Sequence, residues 1–407
     1  MNIPFIDFEY LKGKIEREKP SIVGLSACTE TYLNALRIAK IVKEVNPEIV
    51  TVIGGPHVTF LPIEALENKE LDIVVRNEGE VTMLELVNHF IRGAPSIRGI
   101  QGISYRVGGK VHSSIDRPFI SDLDGLPFPA RRLFPLSFYQ SPGSISSARG
   151  CLHQCIFCAA GAMSGGKYRI RTPEGIIGEI RHIRKECGLQ SFTFVDDTFT
   201  ISRSRIHKIC KLIKSLGFDI EWQCSTRADT LTGTMLKDMR SAGCYAITLG
   251  IESGCQRILD EIRKGINLGQ AGKAVRDALK VGIKVFCSFM MPHPGDTIAT
   301  VRQTREFAKG LAQLGAGVTL AFTVPLPGTY LYNNAKALGI NILSNDWDDF
   351  VTAKPFISTK YLTVNQIENL YKELASEGHM PRRQSKPPIR QKRGRGIRTH
   401  DPLVIPP

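Results

Sequence analysis

Residues 149–161 read RGCLHQCIFCAAG and set Cys151, Cys155 and Cys158 in a C-x3-C-x2-C array. The preceding stretch, GSISSA at 143–148, reads as a short strand, so the array falls on the loop that leaves it. The chain holds ten cysteines, and Met1 to Tyr10 has neither the basic leader nor the apolar run of a secretory signal. In a reducing compartment cysteines are buried small apolar residues, metal ligands or nucleophiles rather than a disulfide set. Seven of them are scattered: Cys28, Cys187, Cys210, Cys224, Cys244, Cys255 and Cys287. Zinc usually draws four ligands in two pairs, and no second C-x2-C or H-x3-H lies near the array. A [4Fe–4S] cluster also takes four ligands, usually all cysteine, so three thiolates would hold three irons and leave the fourth open to a substrate or cofactor. Three cysteines on a metal-free loop is the plain alternative.

Working outward, the array opens a run of alternating strands and helices. Strand patterns lie at 144–149, 191–196, 219–225, 244–250, 283–290 and 316–323, with amphipathic helices between them, as over 173–186, 203–216 and 298–314. Six such units predict a partial (β/α)6 barrel whose chemistry belongs at the carboxyl ends of its strands. Upstream, SIVGLSA (21–27), IVTVIGG (49–55) and LDIVVRN (71–77) read as strands, with helical patterns over 33–45, 63–67 and 83–91. That order predicts a Rossmann- or flavodoxin-like parallel α/β sheet. IQGISYRVGGKVHSS (100–114) reads as a hairpin turning at Gly108 and Gly109. The expected organisation is an α/β domain over 1–122, a Pro-rich linker over 123–143, the barrel over 144–375 and a disordered basic tail over 376–407.

Composition excludes several classes. The 407 residues are 42% apolar and 23% charged, with 37 Gly and 23 Pro, which rules out collagen-like, coiled-coil and wholly disordered chains. No stretch approaches the ~18–20 apolar residues of a membrane span, and a cytoplasmic protein is expected. Lys and Arg number 53 against 39 Asp and Glu, a net charge of +14. Residues 381–407 carry eight of those cations and one acid, so the tail supplies +7 and the remaining residues share +7. The body is only mildly basic, which argues against a nucleic acid partner.

The array after the first of six barrel strands resembles that of the radical S-adenosylmethionine (SAM) enzymes, and further segments over 144–375 carry the same resemblance. SFTFVDDTFT (191–200) is similar to the strand end that lies beside SAM in that family, and EWQCSTRADT (221–230) to the third strand, with Arg227 and Asp229 at its exit and Arg227 implied as a SAM contact. LGIESGCQRILDEIRKGI (249–266) resembles the fourth-strand segment, where Glu252 and Ser253 would face SAM, and TVPLPGTYLY (323–332) the sixth. The resemblance implies that Cys151, Cys155 and Cys158 hold the cluster and that its open iron grips SAM, from which a cluster electron releases a 5′-deoxyadenosyl radical. Asp196 and Asp197 would then bind the ammonium and ribose hydroxyls of SAM; otherwise they cap the next helix. FMMPHPGDT (289–297) departs from the family pattern, with Pro292 and His293 where Gly and an apolar residue are usual. His293 is a structural histidine, a replacement contact or an acid–base group.

With that barrel behind it, the first domain resembles the cobalamin-binding domain of cobalamin-dependent radical SAM proteins. The resemblance rests on Ser26 to Thr29, on Gly54-Gly55-Pro56-His57 and on Arg76-Asn77-Glu78-Gly79-Glu80. It implies Ser26, Thr29, Gly54, Gly55, Glu78 and Gly79 as cobalamin contacts, the glycines serving close approach of backbone to ligand or only tight turns. The D-x-H-x-x-G loop of many such domains is absent, the first histidine being His57, and the opening strand is expected to be missing. The function expected is that of a radical SAM methyltransferase with a [4Fe–4S] cluster, SAM and cobalamin, an external flavodoxin- or ferredoxin-type electron donor, and a small-molecule or peptide substrate. A cyclase or rearrangement enzyme of the tetrapyrrole-processing type is the nearest rival. A methylthiotransferase would need more cysteines than Cys28 in the first domain. From another class, an RNA-binding protein with a structural cluster would draw on the basic tail, which lacks interleaved aromatics.

Overall fold

Two large sheets, the first mixed and the second parallel, follow one another along the chain in the computed structural model, which describes residues 7–375. The predicted basic tail lies outside the described residues. In the first sheet β1 (Ile22–Ser26), β2 (Val50–Gly54) and β3 (Ile73–Val75) run parallel in sequential order. The hairpin β4 (Ile103–Val107) and β5 (Lys110–Ser113) extends it antiparallel, turning at Gly108 and Gly109, both with positive φ. Helix Phe8–Glu18 packs on helix Tyr32–Val45 through Ile15, Val42 and Ile49, and β1 forms one edge of the sheet. Short β-branched strands alternating with amphipathic helices bury one helix stripe against each sheet face, as this pattern requires.

The second sheet has six parallel strands in the order β13-β12-β11-β10-β9-β6: β6 (Ser144–Ile145), β9 (Ser191–Phe194), β10 (Glu221–Thr226), β11 (Cys244–Glu252), β12 (Lys284–Met291) and β13 (Gly317–Phe322). β6 and β13 do not pair, so the barrel is open. Alternate residues of the strands face the helical ring: Phe192, Phe194, Trp222 and Cys224 pack with Ile180, Ile206, Ile209 and Leu236. Trp222, fully buried, stands edge-on to Phe194 at 5.3 Å, and its indole N–H donates to the Ala242 carbonyl at 2.7 Å. Four scattered cysteines, Cys210, Cys224, Cys244 and Cys287, lie in this core, where burial pushes every thiol pKa up, to about 12 for Cys210. They are apolar filling.

The first barrel strand is shorter than its sequence pattern. Its ladder stops at Ile145, because the next two free backbone N–H groups, of Ser147 and Ala148, donate to the Asp196 carboxylate at 2.6 and 3.1 Å. The chain then turns outward, and β7 (Ala148–Arg149) pairs antiparallel with β8 (Arg169–Ile170). After β13 the chain crosses back over the first domain. The antiparallel pair β14 (Ile340–Ile342) and β15 (Ile357–Thr359) brackets a turn whose Trp347 donates to Glu64 at 2.7 Å and meets the His57 ring edge-on at 4.7 Å. Helix Val364–Ala375 then covers β13, with Tyr371 stacked on Phe322 at 4.1 Å. No helix among the described residues is long and apolar enough to cross a membrane.

Candidate active site at the barrel mouth

The three-cysteine loop is fixed at its entry and its middle. Gly150 has φ +91°, and a Cβ there would collide with the Lys167 carbonyl and Ser164, so only glycine admits the turn into Cys151. Ile156, 3% exposed, plugs an apolar cluster with Leu259, Ile262 and Leu331. Its N–H donates to the Ile262 carbonyl at 3.1 Å and its carbonyl accepts from Leu331 at 2.8 Å. Cys155 and Cys158 are thus held on either side of a buried anchor, and the Cys158 N–H closes the turn on the Cys155 carbonyl at 3.1 Å. Gly150→Ala is expected to cost about 1–3 kcal/mol of stability and most of the bound iron. Iron assay and thermal unfolding of the anaerobic protein check this, and native iron content would speak against it.

The thiols differ in setting but share a field. Cys151 is buried, with its sulfur 3.9 Å from the Thr198 hydroxyl; Cys155 is half-buried; Cys158 opens to a cavity. Burial raises the Cys155 and Cys158 thiols, Cys158 to about 11, and the neighbouring cysteines add to both effects. Metal must therefore displace their protons. Among the described residues no three His, Cys, Asp or Glu side chains converge on a point that would hold a single metal ion. An iron–sulfur cube takes one thiolate at each of three irons, so its ligands stand around it rather than converge. Three neighbouring thiols on one anchored loop, with no fourth cysteine in it, fit that group.

The adjacent acids at the end of β9 part ways. Asp196, 4% exposed, spends its carboxylate on the Ser147 and Ala148 N–H groups and the Ser147 hydroxyl, and burial raises its pKa. It caps no helix; it ties the broken first strand to the second. Asp197 lines the cavity; its carbonyl accepts from the Thr198 hydroxyl at 2.8 Å, its carboxylate has no hydrogen-bond partner among the described residues, and lost hydration raises its carboxyl as well. At the exit of β11, Glu252 takes φ +73°, and its carboxylate pairs with Lys264 at 2.9 Å in a setting that leaves both side chains largely buried. Gly250 makes room for that pair, since a Cβ would lie 2.5 Å from Glu252 Oε1. Ser253 is taken up internally, 3.2 Å from Thr304 and accepting from the Cys255 N–H at 3.1 Å. Arg227 grips Asp229 and reaches to 4.0 Å from the Cys155 sulfur. His293 is buried between the Phe157 ring of the cysteine loop, at 6.0 Å, and the Glu252 carbonyl, 3.4 Å from its Nε2. The Asp296 carboxylate accepts the His293 backbone N–H at 2.7 Å and fixes the turn after Pro292, while the ring Nδ1 has no hydrogen-bond partner among the described residues.

The cavity, about 710 Å³, lies between the two sheets' carboxyl ends. Thr29, His57, Asn77 and Gly79 face it from the first domain, and Cys158, Met163 and Asp197 from the barrel. The proposed cobalamin contacts divide. Thr29 lies 3.2 Å from His57 Nδ1, and burial pushes that imidazole down to about 4, so it is neutral at physiological pH. Gly55 lines the cavity and has φ +106°, and a Cβ there would lie 2.5 Å from the Ala27 carbonyl oxygen, so the turn itself requires glycine. Gly54 has only ordinary contacts, 3.5 Å at closest, and Ser26 and Gly54, paired in register, do not line the cavity. Glu78 does line it, but its carboxylate is shared by Arg149 at 2.7 Å, Arg169 at 2.9 Å and the Ile120 N–H at 2.7 Å. Burial opposes its charge, and Arg149, Ile120 and Arg169 together hold it below the usual glutamate range. It latches the first domain to the barrel. Sequence reasoning missed Arg149 and Arg169 as its partners, and it missed Lys264, which lies inside the quoted fourth-strand segment.

Comparison with known proteins bears on this arrangement. The family model described as the Radical SAM superfamily matches residues 145–308, and that of the B12 binding domain matches 3–87. An uncharacterized methyltransferase of Pyrococcus horikoshii is 36% identical over 373 residues, covering 90% of this chain and 80% of its own length. Cytidylyl-2-hydroxyethylphosphonate methyltransferase of Streptomyces wedmorensis is 29% identical over 332 residues, 71% of this chain and 62% of its own. Among solved structures, the cobalamin-dependent SAM radical enzyme OxsB with aqua-cobalamin and SAM bound superposes with a TM-score of 0.74 at 17% identity, covering 89% of this chain and 59% of that one.

Proposed function

This chain belongs to the radical SAM superfamily, in the branch that carries an N-terminal B12-binding domain, and from that premise we propose that it is a cobalamin-dependent methyltransferase. The observation that carries the reading is the shared cavity: one space is bounded by the strand ends of the B12-binding domain on one side and by Cys158 and Asp197 of the barrel on the other. A methyl carrier and a radical source must address the same substrate carbon, and a chamber lined from both domains supports that reading.

Within it, Cys151, Cys155 and Cys158 would hold the cluster, and bound SAM would supply the 5′-deoxyadenosyl radical when a reductant of flavodoxin or ferredoxin type delivers an electron. Asp197, with an unspent carboxylate in the cavity wall, is the acid suited to the ammonium or ribose of SAM. Glu252 would meet SAM through the face not taken by Lys264. Asp196 and Ser253 act by holding the strand ends that present these groups. Thr29, neutral His57 and Gly79 form the wall open to cobalamin. The substrate is a small molecule or peptide, and the cytoplasm is the setting in which such a cluster is kept reduced.

The test is anaerobic reconstitution followed by titration with hydroxocobalamin, read by absorbance. Saturable, stoichiometric binding is expected, with 5′-deoxyadenosine released on addition of SAM and dithionite. Release of 5′-deoxyadenosine from a protein that binds no corrinoid would sink the methyltransferase reading and favour the cyclase or rearrangement chemistry.

A further inference from the structure

Arg227 is 4% exposed, and most of its guanidinium is already committed. Nε and Nη2 form a two-point contact with Asp229 at 3.0 and 2.9 Å, and Nη2 also donates to the Lys264 carbonyl at 2.6 Å. Nη1 is the remaining nitrogen, and it faces the Cys155 sulfur at 4.0 Å. A grip on the SAM carboxylate would call for two parallel donors from one edge of the guanidinium; here that edge belongs to Asp229. The Lys264 ammonium stands nearby, 6.0 Å over the Phe157 ring between Cys155 and Cys158, so a second buried cation shares the neighbourhood.

We propose that Arg227 is a positioning residue for electron entry: through Nη1 it donates to the Cys155 sulfur and raises the reduction potential of the cluster, and it does not bind SAM. The inference rests on the reading of the three cysteines as cluster ligands. One-electron reduction adds a negative charge to the cube and its thiolates. A donor and positive charge on a ligand sulfur, in a site shielded from water, stabilise the reduced state more than the oxidised one. Asp229 has two effects: it fixes the fork so that Nη1 points at sulfur, and its own charge offsets part of the arginine's.

The experiment compares native protein with Arg227→Gln, Arg227→Lys and Asp229→Asn, each reconstituted anaerobically. Iron and sulfide are assayed, and the midpoint is read by EPR-monitored potentiometry without SAM. Arg227→Gln is expected to lower the reduced-to-oxidised ratio at fixed poise about tenfold, equivalent to about 59 mV for a one-electron couple. Arg227→Lys falls between it and native. Asp229→Asn moves the midpoint the other way, because it removes a negative charge beside the cluster. A purely structural role for Arg227 would predict no such opposition of sign. An Arg227→Gln midpoint equal to native in a fully loaded protein, or a negative shift in Asp229→Asn, overturns the proposal. If Arg227→Gln fails to retain its cluster, the sign of the Asp229→Asn shift decides. A native protein that takes up no iron would instead defeat the reading of the cysteines.

Discussion

Cys158→Ala protein prepared without oxygen is expected to hold little iron and to cleave SAM at least ~10²-fold more slowly than native, since loss of a mere supporting partner already costs up to that factor. The physical reason is the ligand count. Three thiolates hold three irons, and the loop carries no fourth cysteine to replace one that is lost. Of the three, Cys158 is the one that lines the cavity, on the side where Asp197 stands. The control is Cys210→Ala. That thiol is 1% exposed in the core behind the sheet, and its removal is expected to cost about 1 kcal/mol of stability while leaving iron and SAM cleavage intact. Iron and sulfide assay, visible charge-transfer absorbance and 5′-deoxyadenosine yield separate the two variants. Equal iron in Cys158→Ala and native would remove Cys158 from the ligand set.

The contrast between these two cysteines was legible in the sequence, and so were the sheets, because short apolar runs with helical stretches between them leave few other ways to bury both faces. Adjacent identical residues were harder. Asp196 and Asp197 look alike on paper, yet successive side chains point opposite ways as the strand ends, and one faces the frame while the other faces the cavity. Nor could spacing show that the Asp196 carboxylate would intercept the ladder of the first barrel strand and end it at Ile145. The partners of Glu78, Arg149 and Arg169, lie 71 and 91 residues downstream, so its role as a latch between the domains could not be read locally. Trp347 reaches Glu64 across 283 residues, a contact that no local pattern announces. Gly55 was marked for a conformation closed to side chains, and the protein neighbour that demands it, Ala27, could not be read from the sequence.

Lys264→Met is expected to destabilise the barrel by about 3–5 kcal/mol, the usual cost of leaving one member of a buried ion pair without its partner. For a unit of this size that is a fall of roughly 6–20 °C in its thermal transition. The Lys264 ammonium lies 2.9 Å from Glu252, with the side chains only 8% and 11% exposed, so water cannot replace it. Glu252 cannot easily turn away, because its backbone sits at φ +73° and its carbonyl lies against His293. The double variant Glu252→Gln/Lys264→Met removes the stranded charge and is expected to recover part of the loss, since an ion pair replaced on both sides is often near neutral. Gly250→Ala probes the same pair from below: its methyl group would press on Glu252 Oε1 at 2.5 Å and Lys264 Nζ at 3.0 Å, displacing both while keeping their charges. Thermal unfolding of the three variants is the measurement. A double variant no more stable than Lys264→Met would mean that lost packing of the lysine stem, and not the stranded carboxylate, sets the cost. The outcome bears on function because Glu252 is the one strained non-glycine residue at the exit of β11, and strain of that kind persists only where surrounding contacts over-determine it. Lys264 is the strongest of those contacts, so its removal should free the very carboxylate that the proposed SAM site needs in place.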